Sequence, residues 1–305
     1  MRILLLGAGG QLGHALRLQL AHQGAISAPL RAELDLSDRA AIERAAQDYD
    51  LVVNAAAWTD VPGAEAQPEA AWRINAQAPA ALARGVASSG GFLLHYSTDY
   101  VFDGRAAPYF EDAMPAPLNA YGRGKLAGEQ AIRASGCAHL IVRSGWIYSL
   151  RGRNFVRAVL DQLDRGMPLR APIDQFGGPT SAEALARLTA ALIESSGASA
   201  AGLASAVRER GSLLHAACAG RASRHDLACA VAATWAARHG CTAPAVAPTT
   251  TAALAEPVQR PADSTLALDR LHKLWGMQPV PWQEALQACL AGCDNPRSGS
   301  TAPPA

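Results

Sequence analysis

The sequence of 305 residues lacks several features that would place it in a specialised class of protein. Its 27 Lys and Arg against 26 Asp and Glu leave no basic excess of the kind that marks a nucleic-acid surface. No apolar run approaches the ~20 residues that span a bilayer, since glycines interrupt the apolar start after Leu6. The six cysteines are scattered without a CxxC pair, which argues against zinc and disulfides. These absences predict a soluble, cytoplasmic protein without nucleic-acid or membrane partners.

The N-terminal stretch combines an apolar strand, Arg2–Leu6, with a glycine-rich turn and an amphipathic helical pattern that runs to about Gln23. The turn has G-x-x-G-x-x-G spacing in the strand–turn–helix context that a dinucleotide fingerprint requires. Without side chains, Gly7 can make the tight turn, Gly10 can admit a pyrophosphate, and Gly13 can let the helix pack on the strand. The helix N-terminus then faces the phosphates. The pattern therefore predicts a nucleotide site.

The expected second strand, near 25–30, carries no carboxylate at the position where a dinucleotide-binding fold holds the adenosine ribose 2′-hydroxyl. Instead, Leu30 is followed by Arg31, which can receive a 2′-phosphate. The sequence therefore favours NADPH over NADH, although Arg31 can also be read as a solvated loop residue. Asp35 and Leu36 fit a turn that flanks the adenine ring.

A second chemical feature combines the end of an apolar strand, Phe92–Ser97, with a Tyr-x-x-x-Lys pair. Tyr121 and Lys125 are four residues apart, so on a helix they lie one turn apart on the same face. A neighbouring ammonium favours the phenolate, which predicts a lowered pKa for Tyr121. The strand ends at Ser97-Thr98-Asp99, and one of the two hydroxyls can hold a substrate oxygen against this phenol, with the Asp99 carboxylate beside it. Taken alone, such a pair is also compatible with an ordinary helix face.

Apolar strands alternate with helical patterns through the first half of the chain. One strand, Leu51–Ala57, ends in small residues that can pack against a cofactor, and further elements are expected at about Pro68–Ser88, Phe92–Ser97, Lys125–Ala134 and His139–Arg143. Continuous apolar strands between helices predict an α/β fold with a doubly wound parallel sheet. Ser195–Ala206 is interpreted as a low-complexity surface loop, and Asp294–Ala305 as a disordered tail.

Several longer motifs are distributed from Met1 to about Leu290: GAGGQLG, ELDLSD, VVNAAAWT, INA, HYSTDYVFDG, APLNAYGRGKLAGE, VRSGWIY, NFV, DQFGGPT, APTT and RPADSTLAL. Together with the glycine turn and the Tyr–Lys pair, they resemble the extended short-chain dehydrogenase/reductases and, within them, the dTDP-4-dehydrorhamnose reductase family. The resemblance implies a Rossmann domain at 1–146 and a smaller C-terminal, mostly substrate-binding domain at 147–293, some of whose segments return to the Rossmann sheet. The disordered tail then occupies 294–305.

The resemblance also implies an activity, the NAD(P)H-dependent reduction of the C4 ketone of dTDP-4-dehydro-6-deoxy-L-mannose to dTDP-L-rhamnose for a cell-wall or lipopolysaccharide polymer. Tyr121 would protonate the ketone oxygen. Lys125 would bind the nicotinamide ribose and lower the tyrosine pKa, and Thr98 would bind the substrate and help tune the tyrosine.

The implied cofactor-lining residues are Gly10, Gln11, Leu12, Ala55, Ala56, Ala57 and Asn75, beside Gly7, Gly13, Arg31, Asp35, Leu36, Tyr121 and Lys125. The implied substrate residues are Thr98, Asp99, Trp146, Gln175 and Arg260, the last for the diphosphate. Each of the last three has an alternative role, as a core residue, a structural turn and a loop cap, respectively.

The chain departs from the family pattern at three points. Pro62 replaces an Asp in the loop after the strand-end alanines, and Ser223-Arg224-His225 lacks the aromatic residues of a family element. Ala15 replaces the helix-one carboxylate that some members use for a Mg²⁺-linked dimer, although Glu183 remains. No bound metal is therefore expected, Mg²⁺ is possible but not favoured, and the chain is expected to be a monomer or homodimer.

Two alternatives remain open from the sequence. The chain is also compatible with a related nucleotide-sugar reductase or epimerase that acts on another sugar, because one fold and one set of proton-transfer residues serve many substrates. It is compatible, too, with a non-catalytic regulatory subunit of the same fold. The presence of Thr98, Tyr121 and Lys125 disfavours this second alternative.

Overall fold

The computed structural model describes residues 1–292, so the predicted tail at 294–305 lies outside the described residues. Its strands are β1 (Arg2–Leu6), β2 (Ala25–Ser27), β3 (Leu51–Asn54), β4 (Phe92–Thr98), β5 (Ala138–Ser144), β6 (Ile147–Tyr148), β7 (Leu169–Pro172), β8 (Phe176–Gly177), β9 (Thr180–Ser181), β10 (Leu213–His215), β11 (Ala222–Ser223) and β12 (Val246–Thr249).

The helices are α1 (Gln11–Gln19), α2 (Arg39–Ala46), α3 (Val61–Ala66), α4 (Pro68–Trp72), α5 (Ala78–Ser89), α6 (Ala120–Ala134), α7 (Phe155–Asp164), α8 (Ala182–Ser195), α9 (Ala200–Arg210), α10 (Arg224–His239), α11 (Thr251–Leu254), α12 (Asp269–Trp275) and α13 (Trp282–Ala291). A π-helical turn, Arg73–Gln77, joins α4 to α5, and a 3₁₀ turn, Asp99–Val101, follows β4.

Six strands form one parallel sheet in the order β10-β5-β4-β3-β1-β2. Successive side chains of a strand point to opposite faces, and β1 shows this clearly. Ile3 and Leu5 pack in a layer with α1, α8, α9 and α12, whereas Leu4 and Leu6 pack with α2 and α5. Helices therefore cover both faces of the sheet, which confirms the predicted doubly wound α/β fold.

A second apolar core lies apart from the sheet. It is formed by α7, α10 and α13 with Leu169 and Ala171 of β7, and its members include Val231 and Leu286, both almost fully buried. In contrast, α8, α9 and β10, although they follow residue 146 in the chain, belong to the layers of the large sheet. Segments from the second half of the chain thus return to the sheet. The division at 146/147 itself stays a prediction.

The interpretation of Ser195–Ala206 as a surface loop is wrong. The chain turns at 196–199 and then forms α9, whose N-cap Ser199 accepts a hydrogen bond from Gly202 N. Leu203, Ala206 and Val207 are buried against the sheet at helical spacing. Alanine is the best helix former, so an Ala-rich stretch with three apolar residues on one face folds as a helix despite its low complexity.

Several predicted boundaries also shift. The strand expected at Leu51–Ala57 ends at Asn54, and the expected helix Pro68–Ser88 consists of α4, the π-helical turn and α5. The helix expected from Lys125 begins earlier, at Ala120, because the Asn119 side chain caps it by accepting from Gly122 N at 2.9 Å. Within residues 1–292, no helix combines the length and apolar character needed to cross a membrane.

Candidate active site

The glycine turn after β1 is built by close backbone contacts. Gly7 has φ +80°, a conformation that favours glycine. A Cβ on Gly13 would lie 2.0 Å from the carbonyl oxygen of Gly7, so α1 can approach the turn only with glycine at this position. Among the described residues, no side chain caps the N-terminus of α1 at Gly10. Its first backbone N–H groups are therefore available to an anion, as the phosphates of a dinucleotide require.

A cavity of about 820 Å³ opens in front of this turn. It contains the predicted cofactor residues Gly7, Gly10, Gln11, Leu12, Ala55, Ala56, Ala57, Tyr121 and Lys125. The three alanines follow β3, where the chain leaves the sheet beside the end of β1. The turn, the helix N-terminus and this cavity together fit a dinucleotide.

The other predicted cofactor residues lie outside this cavity. Arg31 is exposed in the turn after β2, near the carboxylate of Asp35, and Leu36 packs on the apolar layer under the sheet. Because β2 is parallel to β1, its C-terminal end opens on the same edge as the glycine turn. Asn75 is buried and bonds both backbone groups of Trp58, at 2.9 and 3.0 Å, so it shapes the loop after the alanines.

Tyr121 stands where the first cavity meets a second one of about 480 Å³. It lies in the first turn of α6, and its ring packs edge-on against Tyr100, with the ring centroids 6.0 Å apart. Burial raises the pKa of the Tyr121 phenol, the Asp99 and Tyr100 charges add to the rise, and a hydrogen bond with Thr98 opposes it. The expected lowering of the pKa by Lys125 is therefore wrong for this structure, since burial outweighs the other effects.

Lys125 is 2% exposed at one end of a buried polar row. Its Nζ donates to the Tyr96 carbonyl oxygen at 2.7 Å and lies 3.4 Å from His95 Nε2. Burial lowers the pKa of Lys125 to about 8, whereas Glu129, one turn further along α6, acts in the opposite direction. The position of Lys125 beside Tyr121 in the larger cavity agrees with the expected face of the helix.

Asp99 lines the smaller cavity and is almost fully buried. Thr98 Oγ1 donates to its carboxylate at 3.0 Å, and Ser264 Oγ donates to the other oxygen. A Cβ on Gly145 would lie 2.5 Å from the same carboxylate, so the end of β5 approaches Asp99 closely. Burial raises the pKa of Asp99 to about 6, against these hydrogen bonds.

Trp146 lines the smaller cavity in a left-handed conformation with φ 48°. Gly177, in the DQFGGPT motif, leaves room for the indole, because a Cβ there would lie 2.5 Å from the ring. The guanidinium carbon of Arg224 lies 3.6 Å from the centroid of the Trp146 ring and 5.0 Å from that of Phe155. This stacking places a cation in the cavity.

Arg260 and Gln175 also reach the smaller cavity. Arg260 pairs with Glu256 and donates to the Tyr100 hydroxyl at 3.4 Å. The Gln175 amide donates to Thr251 Oγ1 at 3.1 Å, so this side chain is tied to the start of α11. All predicted substrate residues, Thr98, Asp99, Trp146, Gln175 and Arg260, thus line one cavity.

Sequence reasoning missed further residues of this cavity. Arg153, Arg170 and Arg224 bring additional positive charge, and Asn154 bonds Gln11 in the glycine turn at 2.8 Å. Arg224 belongs to the Ser223-Arg224-His225 element, which the sequence marked only as a departure from the family pattern. A cluster of arginines from distant segments leaves no local pattern, so only folding reveals it.

The residues that bear on a metal do not form a cluster. Ala15 is buried, and Glu183 lies in the first turn of α8. Within residues 1–292, no group of three or more His, Cys, Asp or Glu side chains is arranged to hold a metal ion.

Comparison with known proteins gives the family. The model of the family described as RmlD substrate binding domain matches residues 1–294. A dTDP-4-dehydrorhamnose reductase from Burkholderia thailandensis is 37% identical over 95% of this chain and 98% of its own length. A probable dTDP-4,6-dihydroxy-2-methyloxan-3-one 4-ketoreductase from Streptomyces antibioticus is 37% identical over 94% of each chain. The crystal structure of a dTDP-4-dehydrorhamnose reductase from Bacillus anthracis in complex with NADP has a TM-score of 0.84 and 27% identity, covering 95% of this chain and 99% of that one. The chain therefore belongs to the RmlD family.

Proposed function

We propose that the chain reduces the C4 ketone of dTDP-4-dehydro-6-deoxy-L-mannose to dTDP-L-rhamnose with NADPH. The observation that carries the proposal is the position of Tyr121 between two cavities, one beside the glycine turn and one lined by arginines. A reductase of this kind needs a proton donor that faces both its cofactor and its ketone. The reductase from Burkholderia thailandensis supports the same substrate.

Residues around the larger cavity would hold the cofactor. The backbone of Gly10, Gln11 and Leu12 would bind its pyrophosphate, Lys125 its nicotinamide ribose, and Arg31 a 2′-phosphate. When bound, NADPH supplies the hydride for the C4 carbon. The NADP complex of the Bacillus anthracis relative supports this cofactor.

Tyr121 would deliver the proton to the ketone oxygen. Its raised pKa keeps the phenol protonated at neutral pH, so it can donate. Thr98 lies beside it and would bind the same ketone oxygen through its hydroxyl. In the structure this hydroxyl donates its single proton to Asp99 at 3.0 Å, so it would have to turn from the carboxylate to donate to the ketone oxygen.

The smaller cavity has the charge that a sugar nucleoside diphosphate needs. Arg153, Arg170, Arg224 and Arg260 line it. One of the four, Arg260, is already paired with Glu256. The excess of guanidinium groups favours a diphosphate, which arginine binds in bidentate fashion. We propose that Arg224, stacked on Trp146, and Arg260 hold this diphosphate while the sugar extends toward Tyr121.

The direct test is the loss of NADPH absorbance with dTDP-4-dehydro-6-deoxy-L-mannose, generated in situ from dTDP-glucose by the upstream enzymes. We expect rapid oxidation and isolation of dTDP-L-rhamnose. NADH run in parallel tests the cofactor proposal, and Arg31→Ala should raise the KM for NADPH while leaving that for NADH unchanged. An absence of turnover from a folded protein that binds NADPH would contradict the proposed substrate.

Tyr121→Phe tests the proton donor. Because the substitution removes only the hydroxyl, kcat should fall about 10²- to 10⁴-fold, the range of a positioned acid, while the Kd for NADPH stays within about twofold. Tyr49, at the opposite end of the sheet just before β3, offers a matched control, and Tyr49→Phe should retain full turnover. Wild-type kcat in Tyr121→Phe would exclude the phenol as donor.

A second candidate is the reduction of a different 4-keto sugar nucleotide. It is favoured by the 37% identity to the probable 4-ketoreductase from Streptomyces antibioticus, which equals that to the Burkholderia reductase. Comparing kcat/KM for several dTDP- and GDP-linked 4-keto sugars would separate the two, since the proposed function requires the L-mannose configuration to be preferred.

A further inference from the structure

Three elements of the fold contribute a buried row of polar side chains that ends at Lys125. Asn54 ends β3, His95 lies in β4 and Lys125 lies in α6. Asn54 Nδ2 is 3.0 Å from His95 Nδ1, and His95 Nε2 is 3.4 Å from Lys125 Nζ. The three residues are 2%, 0% and 2% exposed, respectively, so each depends on protein partners for its hydrogen bonds.

A backbone contact sets the direction of the hydrogen bonds along this row. Asn54 Oδ1 accepts a hydrogen bond from Ala56 N at 3.2 Å, so the amide presents its NH₂ group to His95. Burial, with the charge of Lys125, holds the pKa of His95 well below its usual range, and the ring is neutral. A neutral imidazole carries one proton and has one accepting nitrogen. Because Nδ1 accepts from Asn54, the proton lies on Nε2 and faces Lys125.

An N–H directed at Lys125 Nζ opposes the ammonium form. An ammonium has three donors and no lone pair, whereas a neutral amine can accept from His95 and still donate to the Tyr96 carbonyl. Of the other charged groups nearby, Glu129 favours the ammonium. However, the carboxylate of Glu129 is already engaged by Arg143, at 2.8 and 2.7 Å, and by Ser97. His139, on β5, acts against protonation of His95.

We propose that Asn54 and His95 are positioning residues for Lys125. Asn54 holds His95 in its Nε2-protonated form, and this N–H lowers the affinity of Lys125 Nζ for its third proton. The inference rests on the proposed roles of Tyr121 and Lys125. Its consequence for the reaction is the pH above which the free enzyme loses its lysine ammonium, and hence the position of the basic limb of kcat/KM.

The first experiment compares the pH profile of kcat/KM in the wild type, His95→Leu and His95→Gln. Leucine presents no N–H to Lys125, so the basic limb should move upward by about one pH unit, a tenfold change in proton affinity. Glutamine is the matched control. Its amide oxygen accepts from the Asn54 NH₂ group and its own NH₂ group faces Lys125, as the histidine N–H does, so the limb should stay in place. A basic limb that stays or moves downward in His95→Leu would overturn the proposal.

The second experiment needs no turnover. Long-range ¹H–¹⁵N correlation spectra of the ¹⁵N-labelled wild type report which nitrogen of each of the eight histidines carries the proton. We expect one buried histidine that stays neutral from pH 6 to 8 with its proton on Nε2; loss of this signal in His95→Gln or His95→Asn identifies it. A proton on Nδ1 would refute the inference. By contrast, inactivity of the wild type on every 4-keto sugar would count against the proposed function alone.

Discussion

Three ionisable side chains of the site, Asp99, Tyr121 and Lys125, are largely removed from water, and the pKa of each moves in the direction that suppresses its charge. The pKa of the carboxyl and that of the phenol rise, whereas the pKa of the ammonium falls to about 8. Burial is the largest cause in all three. At neutral pH, the phenol keeps its proton and Lys125 lies close to its titration range, as the proposed delivery of a proton by Tyr121 requires.

Asp99 provides a test of this burial effect through stability. Its pKa is about 6 in the folded protein against 3.8 when unperturbed, so the folded state holds this proton more tightly. The stabilisation is complete below pH 3.8 and is lost as the pH rises through 6. Between pH 3.5 and 7, the free energy of unfolding of the wild type should fall by about 3 kcal/mol relative to Asp99→Asn. Urea denaturation of both proteins across this range would measure the difference.

Comparison of the wild type with Asp99→Asn cancels the contributions of the other titrating groups to the pH dependence of stability. The asparagine introduced by Asp99→Asn can still accept one hydrogen bond but does not titrate, so a constant offset between the two curves reflects only lost contacts. Parallel curves across the whole range would contradict the raised pKa of Asp99.

At the scale of elements, the site is made by the carboxyl ends of parallel strands. Asn54, Thr98 and Ser144 end β3, β4 and β5, three neighbouring strands, and the glycine turn follows β1 on the same edge. Ligands of open α/β sheets bind at this edge. Because each strand delivers its last residues to one edge, positions far apart in the sequence become neighbours without any local contact between them.

The fit of α1 against the glycine turn gives a prediction at this scale. Gly13→Ala would bring a Cβ to within 2.0 Å of the Gly7 carbonyl oxygen, so the helix must move. We expect a loss of about 1–3 kcal/mol of stability, as for other overpacked sites, and weaker NADPH binding. Gly9→Ala is the matched control, because the described chain places no other atom within 4 Å of its Cβ position. Thermal denaturation of the unliganded proteins should separate the two variants, and equal melting temperatures would contradict the close approach.

At the scale of the whole molecule, the two cavities share walls. Tyr121, Arg153, Asn154, Phe155 and Arg260 line both of them. The segment that starts α7 contacts the glycine turn through Asn154, whose Nδ2 donates to Gln11 Oε1 at 2.8 Å and to the Ser149 carbonyl at 2.8 Å. The part of the chain that packs in the second core therefore touches the nucleotide turn directly. A ligand in one cavity is expected to order a wall of the other.

Asn154→Ser tests this connection. Serine can still cap α7, where the Asn154 Oδ1 now accepts from Arg157 N at 3.0 Å, but it is too short to reach Gln11. NADPH binding should weaken about 2- to 10-fold, the value of one hydrogen bond. We also expect dTDP to tighten NADPH binding in the wild type, and to do so less in this variant. Isothermal titration of NADPH with and without dTDP would measure both effects.

A double-variant cycle decides whether the effect passes through Gln11. In a Gln11→Ala background, Asn154→Ser should cause no further loss of NADPH affinity. Additive losses would show that Asn154 acts by another route.

Local patterns predicted the elements whose signal lies in adjacent residues. The β1–turn–α1 unit and the strand at Phe92–Thr98 appear where their apolar runs and glycines indicate. Composition gave the wrong prediction at α9. An Ala-rich stretch has low complexity, and only in the folded chain do Leu203 and Val207 pack against the sheet. Polar clusters such as the arginines of the smaller cavity come from distant segments and produce no periodic pattern in the sequence from which they could be predicted.

The sequence by itself determined the fold class, the nucleotide turn and the residues of the Tyr–Lys pair, because these depend on spacing within one strand or one helix. Only the tertiary structure decided the protonation states of Tyr121 and Lys125. The direction of the Tyr121 pKa follows from burial and from the Asp99 charge, and both arise only when β4, β5 and α6 pack together. It also decided that Arg224 stacks on Trp146, since that contact joins segments whose proximity no local pattern encodes.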